Sequence, residues 1–372
     1  MSFDPRRRRL ALGALAAVAA CGARGARSGE DNLPRVYPDR LPPASEIIDP
    51  RLLRTIHVGP DALVRTLAEA ARLARDGDVV EVTPGEYVGD VAVWNHRRLT
   101  IRCSGGVARL RADDKAAEAT AIWVMRNGPY TIEGFEFRDC RVPDRNGAGI
   151  RIESGSLTVR NCRFEANENG ILSGSDPNAL ITIEDCVFSA NGSGDGYSHN
   201  LYIGAAGRLV VTGSYFRAAR VGHLLKSRAA ENRVHYNRLT DEDGTASYEL
   251  EFPNGGLAIV VGNVIQQSRR TENPAMISFG AEGYRNADNR LYVVHNTIIN
   301  DRAEGGEFVY ARPGASEVRV QHNVTSGNGT MRLPPGAIDE GNLGVPAAWF
   351  ADAARYDYRL KRPRLPIGVP PL

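Results

Sequence analysis

Apolar and polar residues alternate along this chain in short runs that recur at intervals mostly in the twenties. Eight such runs carry a turn residue and usually close on a large apolar one; they are YTIEGFEF from Tyr130, LTVRNCRF from Leu157, ITIEDCVF from Ile181, LVVTGSYF from Leu209, RVHYNRL from Arg233, LAIVVGNVI from Leu257, LYVVHNTII from Leu291 and VRVQHNVT from Val318. Period-two alternation predicts β-strands, and a repeat of this length predicts that the strands stack as successive turns of a solenoid. We therefore expect an all-β parallel β-solenoid whose turns share one continuous core.

A second periodic feature lies within these runs, two residues before the closing position. The residues there are Phe135, Cys162, Cys186, Ser214, Asn237, Asn263, Asn296 and Asn323. Four successive asparagines at one position predict inward amides that hydrogen-bond to one another along the solenoid axis. The whole pattern, over roughly residues 56–345, resembles the right-handed parallel β-helix superfamily of pectate lyases, polygalacturonases and chondroitinase B.

The chain begins with the features of an export signal over residues 1–21. Four arginines from Arg6 precede an apolar run, Leu10 to Ala20, that is too short to span a bilayer as a mature helix. The twin-arginine and the general secretory routes both tolerate this arrangement. Val18-Ala19-Ala20-Cys21 resembles a lipobox, which implies lipidation at Cys21; simple cleavage with an incidental Cys21 is the alternative. Gly22 implies, by resemblance to bacterial lipoproteins, lipid anchoring in the cell envelope, at the outer membrane or in the periplasm.

Four further segments follow the signal. Residues 22–55 are rich in Arg, Pro, Asp and Gly without periodicity and are predicted to form a flexible tether. Residues 56–98 are predicted to form a capping helix and a first strand, with Asp61 as the helix cap and Leu63, Leu67, Ala70 and Leu73 on its apolar face. The solenoid is assigned to residues 99–345, and residues 346–372 are expected to pack on its last turn.

Composition narrows the choice of partners. A net charge of +2 over 372 residues gives no reason to expect a nucleic-acid ligand, and an uninterrupted repeat favours one elongated, monomeric domain. Four cysteines follow Cys21, at positions 103, 140, 162 and 186. The last two occupy equivalent positions on neighbouring turns, where either a disulfide or stacked thiols would fit, and no spacing indicates zinc.

Titratable residues concentrate on three successive turns. These turns present His199 and Tyr202, then His223, Lys226 and Arg228, then Glu249, Glu251 and Asn254. Stacked positions lie about 4.8 Å apart, so these groups are expected to form one patch. The insertion AEGYRNADN, with Glu282 and Tyr284, is expected to add a wall to a cleft there.

The strand SYELEF gives the most specific expectation within this patch. Alternation places Tyr248, Leu250 and Phe252 on one face and Glu249 and Glu251 on the other. Since the apolar set suits the core, both glutamates are expected to point outward, with their Cα atoms about 6.6 Å apart along the strand. Such a pair is a possible calcium site, although no cofactor is certain.

HLLKSRAAENRVHYNRL resembles the catalytic turn of the family that contains chondroitinase B and alginate lyases. Lys226 and Ser227 match that family's Lys-Ser pair, and Asn232 and Asn237 match the asparagines that follow it. The resemblance implies that Lys226 is a catalytic base. Where the family has an Arg-His-Gly strand, this chain reads ELEF from Glu249.

These residues suit β-elimination on an acidic, uronate-containing polysaccharide. A cation such as Arg228, or a calcium ion on Glu249 and Glu251, would neutralise the uronate carboxylate; Lys226 or His223 would take the C5 proton, and Tyr202 or His199 would protonate the leaving oxygen. Two other functions stay open: an inverting glycoside hydrolase using Glu249 and Glu251, and a non-catalytic glycan-binding or scaffold lipoprotein. In either enzyme, His199, Tyr202 and Asn254 are expected to bind substrate.

Overall fold

The computed structural model of this protein describes residues 54–361. The predicted signal, Cys21, most of the tether and the end of the tail lie outside the described residues, so export and lipid attachment stay predictions. The described chain winds through three parallel sheets, which we call sheets 1, 2 and 3 in the order that each turn visits them. This arrangement is the predicted all-β parallel solenoid.

The strands are numbered in chain order. Sheet 1 holds twelve: β1 Thr55–Val58, β2 Val79–Val82, β5 Leu99–Arg102, β8 Tyr130–Glu133, β11 Leu157–Arg160, β14 Leu180–Glu184, β17 Arg208–Thr212, β20 Glu231–His235, β23 Leu257–Val261, β26 Arg290–Val294, β29 Glu317–Gln321 and β32 Ile338–Glu340. Sheet 2 holds eleven: β3 Gly85–Val88, β6 Ala108–Arg111, β9 Phe135–Arg138, β12 Arg163–Glu165, β15 Val187–Ser189, β18 Tyr215–Arg217, β21 Arg238–Thr240, β24 Val264–Gln267, β27 Thr297–Asn300, β30 Val324–Gly327 and β33 Leu343–Gly344. Sheet 3 holds ten: β4 Ala92–Asn95, β7 Ala121–Arg126, β10 Ala148–Ile152, β13 Asn169–Ser173, β16 Leu201–Ile203, β19 Leu225–Ser227, β22 Leu250–Phe252, β25 Ala275–Phe279, β28 Glu307–Ala311 and β31 Thr330–Arg332. Strands of all three sheets are present before residue 99, where the solenoid was expected to begin.

The inward positions of these strands form one apolar core along the axis. Its most regular part is a file of phenylalanine rings on successive turns of sheet 2, with centroids 5.0, 4.8 and 4.6 Å apart, in the order Phe137, Phe164, Phe188 and Phe216. All four rings are fully buried. Because in-register parallel strands place equivalent residues directly above one another, each turn adds one ring to the file.

The predicted asparagine ladder is confirmed. Each amide oxygen accepts a hydrogen bond from the backbone N–H of the asparagine one turn earlier, at 2.8 Å for Asn237 to Asn263 and 2.9 Å for Asn263 to Asn296. Asn323 continues the ladder and Asn342 extends it by a turn. These side chains satisfy backbone groups that the bend between sheets 1 and 2 removes from the sheet ladders.

The cysteines at the same position are stacked thiols rather than a disulfide. Cys162 and Cys186 are buried and free, and Cys162 Sγ accepts the N–H of Phe135 at 3.5 Å. Burial raises the pKa of Cys162 to about 12, so this thiol stays protonated.

The helix near the amino terminus differs from its prediction. It spans Leu67–Leu73, and Thr66 rather than Asp61 caps it, accepting from Glu69 N at 3.1 Å. Leu67 and Ala70 are buried in the core, whereas Leu63 lies outside the helix and is fully exposed. Asp90 accepts hydrogen bonds from Leu67 N and Ala68 N, which explains the later start because it ties the first turn to the solenoid.

The end of the described chain folds back as a hairpin. Antiparallel strands β34 Phe350–Asp352 and β35 Asp357–Leu360 accompany short 3₁₀ turns at Ala347–Trp349 and Ala353–Arg355. The rings of Phe350 and Tyr358 are buried against Ile299 and Val324 of sheet 2. No helix within residues 54–361 is long and apolar enough to cross a bilayer.

Candidate active site

The outward face of sheet 3 carries the candidate site. In strands β16, β19 and β22, the middle residues Tyr202, Lys226 and Glu251 are register partners on three adjacent turns. Their neighbours Leu225 and Leu250 face inward and are fully buried. Strand alternation therefore places the polar middle residue of each strand outside, as expected for Lys226, Tyr202 and Glu251.

Lys226 and Glu251 are the charged centre of this face. Lys226 Nζ lies 3.1 Å from Glu251 Oε2, and the side chains are only 13% and 5% exposed. His223 Nδ1 lies 3.1 Å from the same oxygen. Neither contact has hydrogen-bond geometry. Burial acts to raise the pKa of Glu251, but His223 and Lys226 outweigh it and hold that pKa below its usual value, so Glu251 is a carboxylate.

Arg228 lies beside Lys226 and is held from several sides. Its Nε donates to Tyr202 Oη at 2.9 Å, and its Nη1 donates to Asn254 Oδ1 at 2.6 Å. Glu282 accepts two further bonds from the guanidinium, at 2.6 and 2.9 Å. The bonds to Glu282 raise the pKa of Arg228 above its already high value; burial acts in the opposite sense, and Tyr202 adds to the increase. Tyr202 and Asn254 thus help to position a permanent cation next to Lys226.

The two predicted histidines lie close together on the same face, with their rings tilted by 40°. The rings of His199 and His223 have centroids 4.4 Å apart, and Tyr248 meets His223 edge-on at 4.9 Å. His199 Nδ1 accepts the backbone N–H of His223 at 2.9 Å. Burial lowers the pKa of His199 well below its usual value, and the neighbouring His223, Lys226 and Arg228 lower it further. Burial also lowers the pKa of His223, against the opposing effect of Glu251, so both rings are neutral near pH 7.

The prediction for Glu249 and Tyr248 is wrong. Strand β22 begins only at Leu250, so the alternation assumed for SYELEF does not extend back to these two residues. Glu249 points into the interior, is fully buried, and neither carboxyl oxygen has a hydrogen-bond partner within residues 54–361. Tyr248, expected inside, lies on the outer face against His223. Burial, reinforced by Asp241, raises the pKa of Glu249 well above its usual value.

An outward pair of Glu249 and Glu251 is therefore absent. One carboxyl lies buried inside the solenoid and the other is a carboxylate outside it, so the two do not form a calcium site or the acid pair of a glycosidase. No group of three or more His, Cys, Asp or Glu residues in the described part of the chain has a metal-binding arrangement. The residues present do not fit a calcium ion at Glu249 and Glu251.

The insertion after β25 reaches the site through Glu282. Besides Arg228, Glu282 contacts Lys226, with 3.5 Å between Oε1 and Nζ. The bonds to Arg228, followed by this contact, lower the pKa of Glu282, although burial acts in the opposite sense. Tyr284 instead packs on Phe279 and donates to Arg312 O at 2.6 Å, which anchors the insertion.

A cleft of about 490 Å³ adjoins the cluster at Tyr202. Its lining is polar and charged apart from one leucine; the lining residues are Asp144, Arg145, Asn146, Arg151, Leu172, Ser173, Asp195, Tyr197 and Tyr202. Arg151 and Leu172 precede Tyr202 in the outward row of sheet 3. Sequence reasoning missed Arg145, Arg151 and Tyr197, although the register of sheet 3 would have aligned Arg151 with the site.

Comparisons with known proteins address the fold. Residues 110–239 match the family model described as "Right handed beta helix region". The solenoid is right-handed. Among solved structures, the crystal structure of pectate lyase Pel9A is similar, with a TM-score of 0.49 and 12% sequence identity over 80% of this chain and 84% of that chain. A search of curated proteins found no match. The resemblance of the Lys226 turn to the chondroitinase B family stays a prediction, so the function must be argued from the site itself.

Proposed function

We propose that this protein is a lyase that cleaves an acidic, uronate-containing polysaccharide by β-elimination. The observation that carries the proposal is the combination of two cations, Lys226 and Arg228, with a neutral histidine, His223, on one turn of the solenoid, in and beside strand β19. An open cleft adjoins this turn at Tyr202 of the preceding turn. A uronate carboxylate needs the cations, and abstraction of its neighbouring proton needs the neutral base.

The reaction needs no cofactor for its atoms to balance. A base removes the proton at C5, the electron pair forms the C4=C5 double bond, and the C4–O4 glycosidic bond breaks with a proton passing to O4. The carboxylate at C5 gains negative charge as the proton leaves. Lys226 and Arg228 would stabilise that charge, because fixed donors in a partly buried site need little reorganisation.

His223 is the better base of the two that the sequence offered. Lys226 Nζ already contacts two carboxylates, Glu251 and Glu282, so this nitrogen is engaged within the protein. His223 is neutral, and Glu251 beside Nδ1 favours a proton on that nitrogen. Within residues 54–361 no hydrogen bond engages His223 Nε2, which leaves it to accept the substrate proton.

Tyr202 is the better proton donor to the leaving oxygen. Its hydroxyl oxygen already accepts a hydrogen bond from Arg228, so its O–H is left to donate outward. Its ring also lines the cleft. His199 is only 2% exposed and holds the His223 backbone through Nδ1, so we give it a positioning role.

The test combines ultraviolet absorbance with a reducing-end assay on a panel of uronate polysaccharides. Elimination raises both signals together, because each cut creates an unsaturated uronate and a new reducing end. We expect Lys226→Ala and His223→Gln to lower kcat/KM by roughly 100-fold or more, while the control Lys115→Ala, which removes an exposed lysine far along the sequence, has no effect.

Two results would contradict the proposal. A rise in reducing ends without a rise in absorbance would mean hydrolysis. No change in either assay across the panel would favour a glycan-binding protein. Full activity in the Lys226 and His223 variants, with absorbance still rising, would leave a lyase but move its chemistry to other residues.

A further inference from the structure

Two cations of the candidate site converge on a carboxylate that the protein itself supplies. Glu282 accepts one hydrogen bond from each terminal nitrogen of the Arg228 guanidinium, at 2.6 Å from Nη1 and 2.9 Å from Nη2. Its Oε1 also lies 3.5 Å from Lys226 Nζ. A planar guanidinium fork with an adjacent ammonium is an arrangement suited to binding one carboxylate with defined orientation. The position that Glu282 fills is therefore a carboxylate site.

This site does not depend on Glu282 for its shape. Arg228 is also held by neutral partners, Tyr202 Oη at 2.9 Å and Asn254 Oδ1 at 2.6 Å. Lys226 keeps its contact with Glu251 at 3.1 Å. Since none of these contacts involves Glu282, they hold both cations in place to receive another carboxylate.

Glu282 can leave the site without unfolding its loop. Its side chain is 40% exposed, whereas Arg228 is only 20% exposed. The backbone is held separately, because Glu282 N donates to Pro253 O at 2.9 Å and Arg285 N donates to Asn254 O at 3.0 Å. A side-chain rotation toward solvent is thus enough to vacate the two cations.

We propose that Arg228 and Lys226 form the subsite for a uronate carboxylate, and that Glu282 occupies this subsite as an internal competitor until an acidic glycan displaces it. The identity of the ligand rests on the proposed function; the presence of a carboxylate site rests on the contacts alone. A neutral sugar offers nothing to replace the two charge-assisted bonds of Glu282, so the competition also selects for acidic chains.

The experiment is calorimetric titration of the full-length protein and of Glu282→Gln with oligogalacturonate, oligomannuronate and a neutral oligosaccharide of similar length. Asp288→Asn is the matched control. Asp288 lies in the same insertion, is 43% exposed and bonds Arg290 twice, at 2.7 and 2.6 Å. Both substitutions remove one negative charge from the same loop, but only Glu282 contacts Arg228 and Lys226.

We expect Glu282→Gln to bind at least one acidic oligosaccharide about tenfold more tightly than the unmodified protein, the value of one lost charged competitor. Asp288→Asn should bind as the unmodified protein does, and neutral oligosaccharide should not respond to either change. Equal affinities for the unmodified protein and Glu282→Gln, or no binding by either, would overturn the inference, as would equal tightening by Asp288→Asn.

Unsaturated product measured on the same samples separates this inference from the proposed function. If unsaturated product forms but Glu282→Gln does not change the affinity for acidic oligosaccharide, the competitor role is overturned and the lyase activity is retained. Tighter binding without product keeps the carboxylate site and overturns the lyase. If neither tighter binding nor unsaturated product is seen, both the competitor role and the lyase activity are overturned.

Discussion

The asparagine ladder allows a quantitative test, through Asn263→Ala. Asn263 is 1% exposed; its Oδ1 accepts from Asn237 N at 2.8 Å and its Nδ2 donates to Val234 O at 2.8 Å. Truncation leaves both of these buried backbone groups without this partner, at about 1–3 kcal/mol each. We therefore expect the free energy of unfolding to fall by roughly 2–6 kcal/mol, measured by urea denaturation.

The chain itself offers the matched control, Asn263→Ser. Ser214 occupies the same ladder position two turns earlier, where its Oγ accepts from Cys186 N at 3.1 Å and donates to Thr212 O at 3.1 Å. A serine at position 263 restores the acceptor for Asn237 N and leaves mainly Val234 O unpaired. Its expected cost is about 1–3 kcal/mol. If alanine and serine cost the same, or if both cost under about 1 kcal/mol, the ladder does not stabilise the fold as argued.

Two further predictions concern pH. Burial raises the pKa of Asp241 to about 7, from an ordinary value of 3.8. The contribution of its protonated carboxyl to stability is therefore complete below pH 3.8 and is lost as pH rises toward 7. Over that range the free energy of unfolding of Asp241→Asn should rise relative to that of the unmodified protein by up to about 4 kcal/mol, as measured by thermal melts at each pH. Identical pH profiles would refute this assignment. Burial lowers the pKa of His223 and Glu251 partly opposes that effect. Glu251→Gln should therefore lower this pKa further and move the acid limb of kcat/KM to lower pH, and an unmoved limb would exclude His223 as the base.

Local patterns in the sequence were sufficient for the repeating part of the fold. Alternation identified the strands of sheet 1 and the turns into sheet 2, because a buried inner face imposes period two on any strand. The same spacing identified the ladder at Asn237 and Asn263, because parallel stacking places equivalent residues one above another. Where the strand was short, this reasoning failed: β22 begins at Leu250, and Glu249 lies inside rather than outside.

The sequence by itself determined the solenoid, its asparagine ladder and the three turns on which Tyr202, Lys226 and Glu251 meet, since each follows from periodicity and in-register stacking. The tertiary structure alone decided which charges pair. Glu282 reaches Arg228 across 54 residues of sequence, and burial raises the pKa of Glu249 well above its usual value because its carboxyl is removed from solvent. Periodicity gives the row that a residue occupies; the path of an irregular insertion and the start of a short strand depend on packing between turns, which no local pattern encodes.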